Sequence, residues 1–241
     1  MGRFIDLHLH FVPGIDDGVP SLEDARTVCR GLKSLGFAKL VTTPHIRSGM
    51  FDNERAGLER AFLTLCSELG EDPALPELAL SAEHHCDAHF LELLTEGGLV
   101  PYPGGRAILV EFPNEAIPVA FDRLAFRLGH KGLRAIIAHP ERYVPLFKRT
   151  DPIDPLLEQE VGLQLDLMSL VGKYGRTARR AAERMLEEGA YAIAATDTHR
   201  VEDLARVGEA LEILFKRVGD DEAELLLAEN PRRLLAGEPL L

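Results

Sequence analysis

Short, nearly unbroken apolar runs alternate along this chain with longer stretches in which apolar positions return every three or four residues. The runs fall at 3–8, 39–43, 77–82, 107–111, 134–138, 162–166 and 191–196, and the pattern predicts a strand at each. Unbroken apolar strands belong to parallel sheets covered on both faces. Helices fill the gaps. Ser21 is suited to cap one that runs to about Ser34 and stops near Gly36. Others are expected over roughly 54–69, 88–96, 116–128, 174–188 and 201–217, and Asn230-Pro231 opens a short closing helix. Seven strand–helix units in succession predict an α/β fold of the (β/α) barrel type, in one domain over 1–241, ahead of an open doubly wound sheet. In such barrels the chemistry sits at the C-terminal ends of the strands.

Composition narrows the function. A hydrophobic fraction of 46% beside a charged fraction of 27% is that of a soluble globular chain. No apolar run reaches the roughly 18 residues that span a bilayer. Asp6 and His8 interrupt the opening segment before a signal-peptide core can form, and Asp6 breaks the myristoylation pattern. A cytoplasmic protein without membrane insertion is expected. Cys29, Cys66 and Cys86 are odd in number and widely spaced, which suits reduced thiols and not a disulfide framework or zinc ribbon. A net charge of −12 argues against a nucleic-acid partner, whose phosphates need a basic face.

The chemistry lies where the strands end. Alternation places Asp6, His8 and His10 on one strand face, where two imidazoles two residues apart can chelate one ion. Solvent-facing histidines are the bland alternative, and a buried strand disfavours them. The loop Gly14-Ile15-Asp16-Asp17-Gly18 follows; alone it reads as an ordinary turn. His45 comes after the second run, Glu83 after the third, Glu111 after the fourth, His139 after the fifth, and Asp197 and His199 after the seventh. Each singly is better read as a cap or loop residue. Together they put a metal-type ligand after six of seven strands, at one rim. His84, His85 and His89 are better read as helix-surface or rim residues, although 85 and 89 have helical metal-pair spacing, and His130 suits a helix C-terminus.

This pattern resembles the PHP (polymerase and histidinol phosphatase) superfamily over nearly the whole chain, through His8-Leu9-His10, Pro44-His45, Ala82-Glu83, Glu111, His139 and Asp197-Thr198-His199. Finer features are similar to the bacterial capsule-synthesis, manganese-dependent protein-tyrosine phosphatases: the Gly14–Gly18 loop, Thr43 through Phe51, Leu109-Val110-Glu111-Phe112, His139-Pro140-Glu141-Arg142-Tyr143 and Asn230-Pro231. The resemblance implies a distorted (β/α)7 barrel with three divalent ions. It assigns His8, His10, Glu83 and Asp197 to one ion, and has Glu83 bridge to a second held with Glu111 and His139. The third falls to Asp17, chosen over Asp16 by its place in the loop, with His45 and His199. His84-His85 departs from the branch pattern.

Four acids and five neutral imidazoles around three divalent ions leave a formal charge of about +2, which attracts a phosphate dianion even in an acidic chain. Mixed His and carboxylate donors suit manganese, iron or zinc, and the resemblance favours manganese. The resemblance implies hydrolysis of phosphotyrosine on a protein, a bacterial tyrosine kinase controlling polysaccharide export, and the expected nucleophile is metal-activated hydroxide. His199 or Asp197 is expected to assist the leaving oxygen, and Arg142 and Arg47, with Arg206 a weaker third, to hold phosphate oxygens. For each Arg the competing reading is a surface ion pair. No Cys-x5-Arg, Asp-x-Asp or P-loop motif is present, so activated water remains as the nucleophile. The competing functions are a small-molecule phosphatase such as one for histidinol phosphate, a non-catalytic metal-binding partner-recognition module, and a phosphodiesterase or nuclease.

Overall fold

The computed structural model describes residues 2–119, 121–159 and 161–240. Its strands are β1 Phe4–Asp6, β2 Phe37–Thr42, β3 His45–Ile46, β4 Glu77–Leu80, β5 Glu83–His85, β6 Ala107–Glu111, β7 Arg134–Ala138, β8 Gly162–Asp166 and β9 Ile193–Ala195. All pairings between them are parallel. They form two sheets, β1-β2-β4 and β3-β5-β6-β7-β8-β9.

The two sheets belong to one barrel because the second and third strands are each broken in two. Pro44 separates β2 from β3. A proline has no N–H for the ladder, so regular pairing cannot run through it. The neighbouring strand breaks opposite, at Ser81-Ala82, and contact is kept by Ser81 N–H to Thr42 O (2.8 Å) and Glu83 N–H to Pro44 O (3.1 Å). Beyond the breaks His45 pairs with Glu83, and Glu83 with Leu109. The seam between β9 and β1 closes through the parallel bridge Leu9–Thr198, with Asp197 N–H to His8 O at 2.8 Å and His10 N–H to Thr198 O at 2.9 Å. The result is the expected barrel of seven strand positions, distorted at two of them and at its seam.

The helices are α1 Leu22–Ser34, α2 Arg55–Leu69, α3 Ala88–Glu96, α4 Phe121–His130, α5 Asp154–Leu157, α6 Gly175–Glu187, α7 Asp203–Glu224 and α8 Asn230–Ala236. In α1, Ser21 Oγ accepts the Asp24 N–H and Glu23 and Asp24 occupy the positive first turn, while Ala25, Val28, Cys29 and Leu32 face the core. The helix expected over 116–128 begins only at Phe121; residues 113–119 form a loop, and residue 120 lies outside the described residues. The helix expected over 201–217 runs on to Glu224 with a kink at Gly219 (φ 82°).

Strand alternation sorts the core. Ile108, Val110, Ala135, Ile137, Leu163, Leu165 and Ala194 belong to the large apolar layer beneath the helices. Leu7, Val41, Leu109, Ile136, Ala138 and Ile193 form a smaller cluster with Tyr102 and Leu234. These fill the barrel interior, and Tyr102 Oη donates to Leu7 O at 2.8 Å. On β8 the positions of this second parity, Gln164 and Asp166, are polar and fully buried, which marks the end of the interior where apolar filling stops.

Candidate metal centre

Every strand of the barrel except the sixth delivers one of the expected ligands to the mouth. His8 and His10 follow β1, and their Nε2 atoms stand 3.2 Å apart, both rings buried. Glu83, at the start of β5, lies at the centre. Its Oε2 is 3.1 Å from His8 Nε2 and 3.0 Å from His45 Nδ1, and its Oε1 is 3.0 Å from His139 Nε2. Asp197 Oδ1 is 3.1 Å from His8 Nε2 and 3.4 Å from His10 Nε2. Asp17 Oδ1 faces His45 Nε2 at 3.4 Å and His199 Nε2 at 3.6 Å. Four groups of donor atoms are close enough to hold an ion among the described residues: His8-His10-Asp197, His8-Glu83-His139, His45-Glu83-Glu111 and His10-His45-His199. All nine expected ligands are thus at one place.

The donor set fits cations. Asp197 Oδ1 is buried without a hydrogen-bond partner, although imidazoles crowd it. A lone pair left bare in a polar, water-poor site is costly unless a cation meets it. His139 and Asp197 also hold left-handed backbone, φ 34° and φ 50°. Outside glycine such geometry costs roughly 1–3 kcal/mol and collects where function fixes a side chain.

Supporting contacts orient the rings. His10 Nδ1 donates to Asp16 Oδ2 at 2.7 Å, which fixes the tautomer that leaves Nε2 free. Asp16 also accepts the N–H of His45 (3.2 Å) and of Gly18 (3.0 Å). The two loop acids are therefore divided: the buried Asp16 braces His10, and the more exposed Asp17 faces His45 and His199. The Gln164 amide lies 2.9 Å from His8 Nδ1 through Nε2, while its buried Oε1 has no partner. Exchanging the two ends of the amide lets the oxygen accept the Nδ1–H and frees His8 Nε2.

Electrostatics follow from this crowding. Burial disfavours a charge on His8, but Glu83 and Asp197 outweigh it and hold the ring up at about 9. His45 and His199 are raised against burial in the same way, His45 by Glu83 first and His199 by Asp197 first. Hydrogen bonding from His199 and His45 holds Asp17 well below the usual carboxylate range. Burial opposes ionisation of Glu83 and Asp197, yet the facing imidazoles, His8 first, keep both far below theirs. Without cations, protons on imidazoles balance the carboxylates.

The arginines divide. Arg142 Nη1 donates to Asp197 Oδ2 at 2.8 Å, lies 3.7 Å from Asp166 Oδ2, and its guanidinium sits 4.3 Å over the Tyr174 ring. Tyr174 Oη in turn reaches Asp197 Oδ2 at 3.3 Å. Arg47 pairs by its backbone with Phe51, whose ring stacks on His45 at 5.2 Å, and its side chain makes no ion pair among the described residues. Arg206 lies 3.4 Å from Asp203. Arg142 and Arg206, with Lys173, Tyr174, Arg200, Asp203 and the expected ligands Asp17, Asp197 and His199, line a cavity of about 420 Å³ at the mouth.

The remaining histidines behave differently from one another. His84 is neither on a helix surface nor at the rim. It is fully buried in β5, with Nδ1 on Leu109 O (3.0 Å) and Nε2 accepting the Val100 N–H (3.1 Å), and burial lowers it to about 4. His85 Nδ1 rests on Glu111 Oε2 at 3.0 Å. His89 lies in α3, paired with Glu92, so the spacing of 85 and 89 is not helical. His130 ends α4, edge-on to Phe126. Reasoning from the sequence passed over Gln164, Asp166 and Tyr174. The first two were detectable as the polar parity of Gly162-Leu163-Gln164-Leu165-Asp166; nothing local singles out Tyr174. Asp6, expected on the ligand face, instead accepts the Thr196 N–H and hydroxyl, and burial raises it to about 6.

Known proteins share this architecture. The chain is 27% identical over 237 residues to the tyrosine-protein phosphatase YwqE of Bacillus subtilis, covering 98% of this chain and 93% of that one. It is 24% identical to the tyrosine-protein phosphatase CpsB of Streptococcus pneumoniae, covering 96% and 98%. The crystal structures of YwqE and CpsB, described as unique metal-dependent tyrosine phosphatases, include a chain that superposes with a TM-score of 0.89 at 27% identity, covering 98% of this chain and 96% of that one. The sequence profile of the CpsB/CapC capsular polysaccharide synthesis family matches residues 4–236, and the chain belongs to that family.

Proposed function

We propose that this protein is a metal-dependent phosphatase that removes phosphate from tyrosine on proteins, its natural substrate being a cytoplasmic bacterial tyrosine kinase that controls capsular or exopolysaccharide synthesis. The observation that carries the reading is the convergence of nine imidazole and carboxylate side chains at one barrel mouth, in a member of a family whose relatives are named tyrosine phosphatases. No helix among the described residues is long and apolar enough to cross a membrane.

Three ions, manganese first, are assigned to His8, His10, Glu83 and Asp197; to Glu83, Glu111 and His139; and to Asp17, His45 and His199. The group His8-His10-Asp197, with Glu83 Oε2 3.1 Å from His8 Nε2, supports the first set; Glu83 shares one group with His139 and another with Glu111, which bears on the second; and the approach of Asp17 to His45 and His199 supports the third. Bound divalent ions supply a nucleophile from water near neutral pH and neutralise charge on the phosphoryl oxygens. The chain's own groups do the rest. Arg142, oriented by Tyr174 and Asp197, receives phosphoryl oxygens in its fork. Asp16 and Gln164 hold His10 and His8 in the tautomers that present Nε2. His199 lines the cavity, with Nδ1 2.9 Å from Asp197 O and Nε2 turned to Asp17; help from His199 or Asp197 at the leaving oxygen therefore competes with their roles as ligands.

The test is metal analysis of purified protein together with turnover of a phosphotyrosine peptide and of histidinol phosphate in manganese. Bound divalent metal and preference for the peptide are expected. Preference for histidinol phosphate would replace the substrate, and a metal-loaded protein inert to both would end the phosphatase reading.

A further inference from the structure

The cavity beside the metal residues opposes the charge of the chain. The protein carries a formal −12, yet this wall presents Arg142, Lys173, Arg200 and Arg206 together. Its acids are already engaged. Asp17 and Asp197 face imidazoles and Arg142. Asp203 is buried. Its Oδ2 accepts the N–H of His199 and of Arg200, both at 3.2 Å, and lies 3.0 Å from Lys173 Nζ, while Oδ1 lies 3.4 Å from Arg206 Nη1. One carboxylate thus serves two cations. Arg200 is exposed, and its side chain has no ion-pair partner among the described residues. A wall that sets four cations against three carboxylates in an acidic molecule attracts anions locally, while the rest of the surface repels them.

We infer that Lys173, Arg200 and Arg206 form a subsite for a carboxylate side chain next to the phosphotyrosine, so that the substrates are acidic phosphotyrosine segments. This rests on the phosphotyrosine reading above and adds to it the chemistry of the flanking residues. A phosphotyrosine whose phosphate reaches the metal residues passes this wall with the rest of its segment. Solvent-facing ion pairs are individually weak, so the preference is modest and sensitive to salt.

The experiment compares kcat/KM for two phosphotyrosine peptides of equal length, one flanked by Glu and one by Gln, in wild type and in Arg200→Glu combined with Arg206→Gln. The wild type is expected to prefer the Glu peptide about tenfold at low ionic strength, with the preference shrinking as salt screens it. In the double variant the ratio is expected to fall to about one. Equal rates on both peptides in the wild type would overturn the subsite while leaving the phosphatase reading intact. An equal loss on both peptides in the variant would also overturn it, because the cations would then be reading the phosphoryl group. Hydrolysis of neither peptide by manganese-loaded wild type would overturn the subsite and its parent reading together.

Discussion

At the scale of single residues, Glu83 does more than any other side chain in the centre. Both of its oxygens are committed to imidazoles, and it belongs to two of the four ion-sized groups. Glu83→Gln keeps the shape and removes the charge. The variant is expected to lose about two equivalents of metal and at least 10²-fold in kcat, the scale of losing a charge-stabilising group. Full metal content with near-normal turnover would refute the bridging assignment. Arg142 offers a subtler experiment, since its guanidinium is held by a ring as well as by carboxylates. Tyr174→Phe keeps the ring under Arg142 and is expected to cost only a few-fold in kcat/KM. Tyr174→Leu removes the ring and is expected to weaken inhibition by inorganic phosphate about tenfold, since cation–π contacts are worth roughly 0.5–2 kcal/mol. Equal phosphate inhibition in the two variants would take Tyr174 out of that role.

At the scale of elements, the barrel was legible in the sequence because its strands are buried on both sides and read as unbroken apolar runs. The imidazoles and carboxylates that meet at the mouth were legible because polar groups at the ends of such runs fall at one rim. What stayed hidden depended on contacts between distant segments. The break at Pro44 has a local cause, but the break at Ser81-Ala82 exists only because that strand lies beside it. The division of labour between Asp16 and Asp17 depends on which side chain the loop turns inward, and a run of Gly-x-Asp-Asp-Gly does not encode that. His84 looked like its neighbours because a buried imidazole satisfied by two backbone groups has no signature of its own. The loop after β1 gives its own prediction. A Cβ on Gly18 would lie 2.2 Å from His10 O and 2.7 Å from His10 Cβ, so Gly18→Ala must push the loop away from the ring it braces. The variant is expected to lose about 1–3 kcal/mol of stability, as overpacking does, and to bind metal less completely. Thermal unfolding and metal analysis check both, and unchanged values would mean that the loop yields without disturbing His10.

At the scale of the whole molecule, the centre couples the fold to metal and to pH. Without ions, the carboxylates keep protons on His8, His45 and His199, with His8 held at about 9. A histidine raised above its ordinary value contributes stability that is complete below about 6.5 and is lost as pH climbs through the folded-state value. The metal-free protein is therefore expected to weaken between about pH 6.5 and 9. Cations must displace those protons, so binding releases protons and tightens with pH over the same window. An ion present at about 100 times its Kd adds roughly 2.7 kcal/mol to the folded state, and several sites add accordingly. The gap in Tm between manganese-loaded and chelator-treated protein is thus expected to widen as pH rises from 6.5 to 9. Calorimetric titration in buffers of different ionisation enthalpy should show protons released with each ion bound. A gap independent of pH, or binding with no proton release, would mean that these imidazoles are neutral before the metal arrives and that the carboxylates are balanced in some other way.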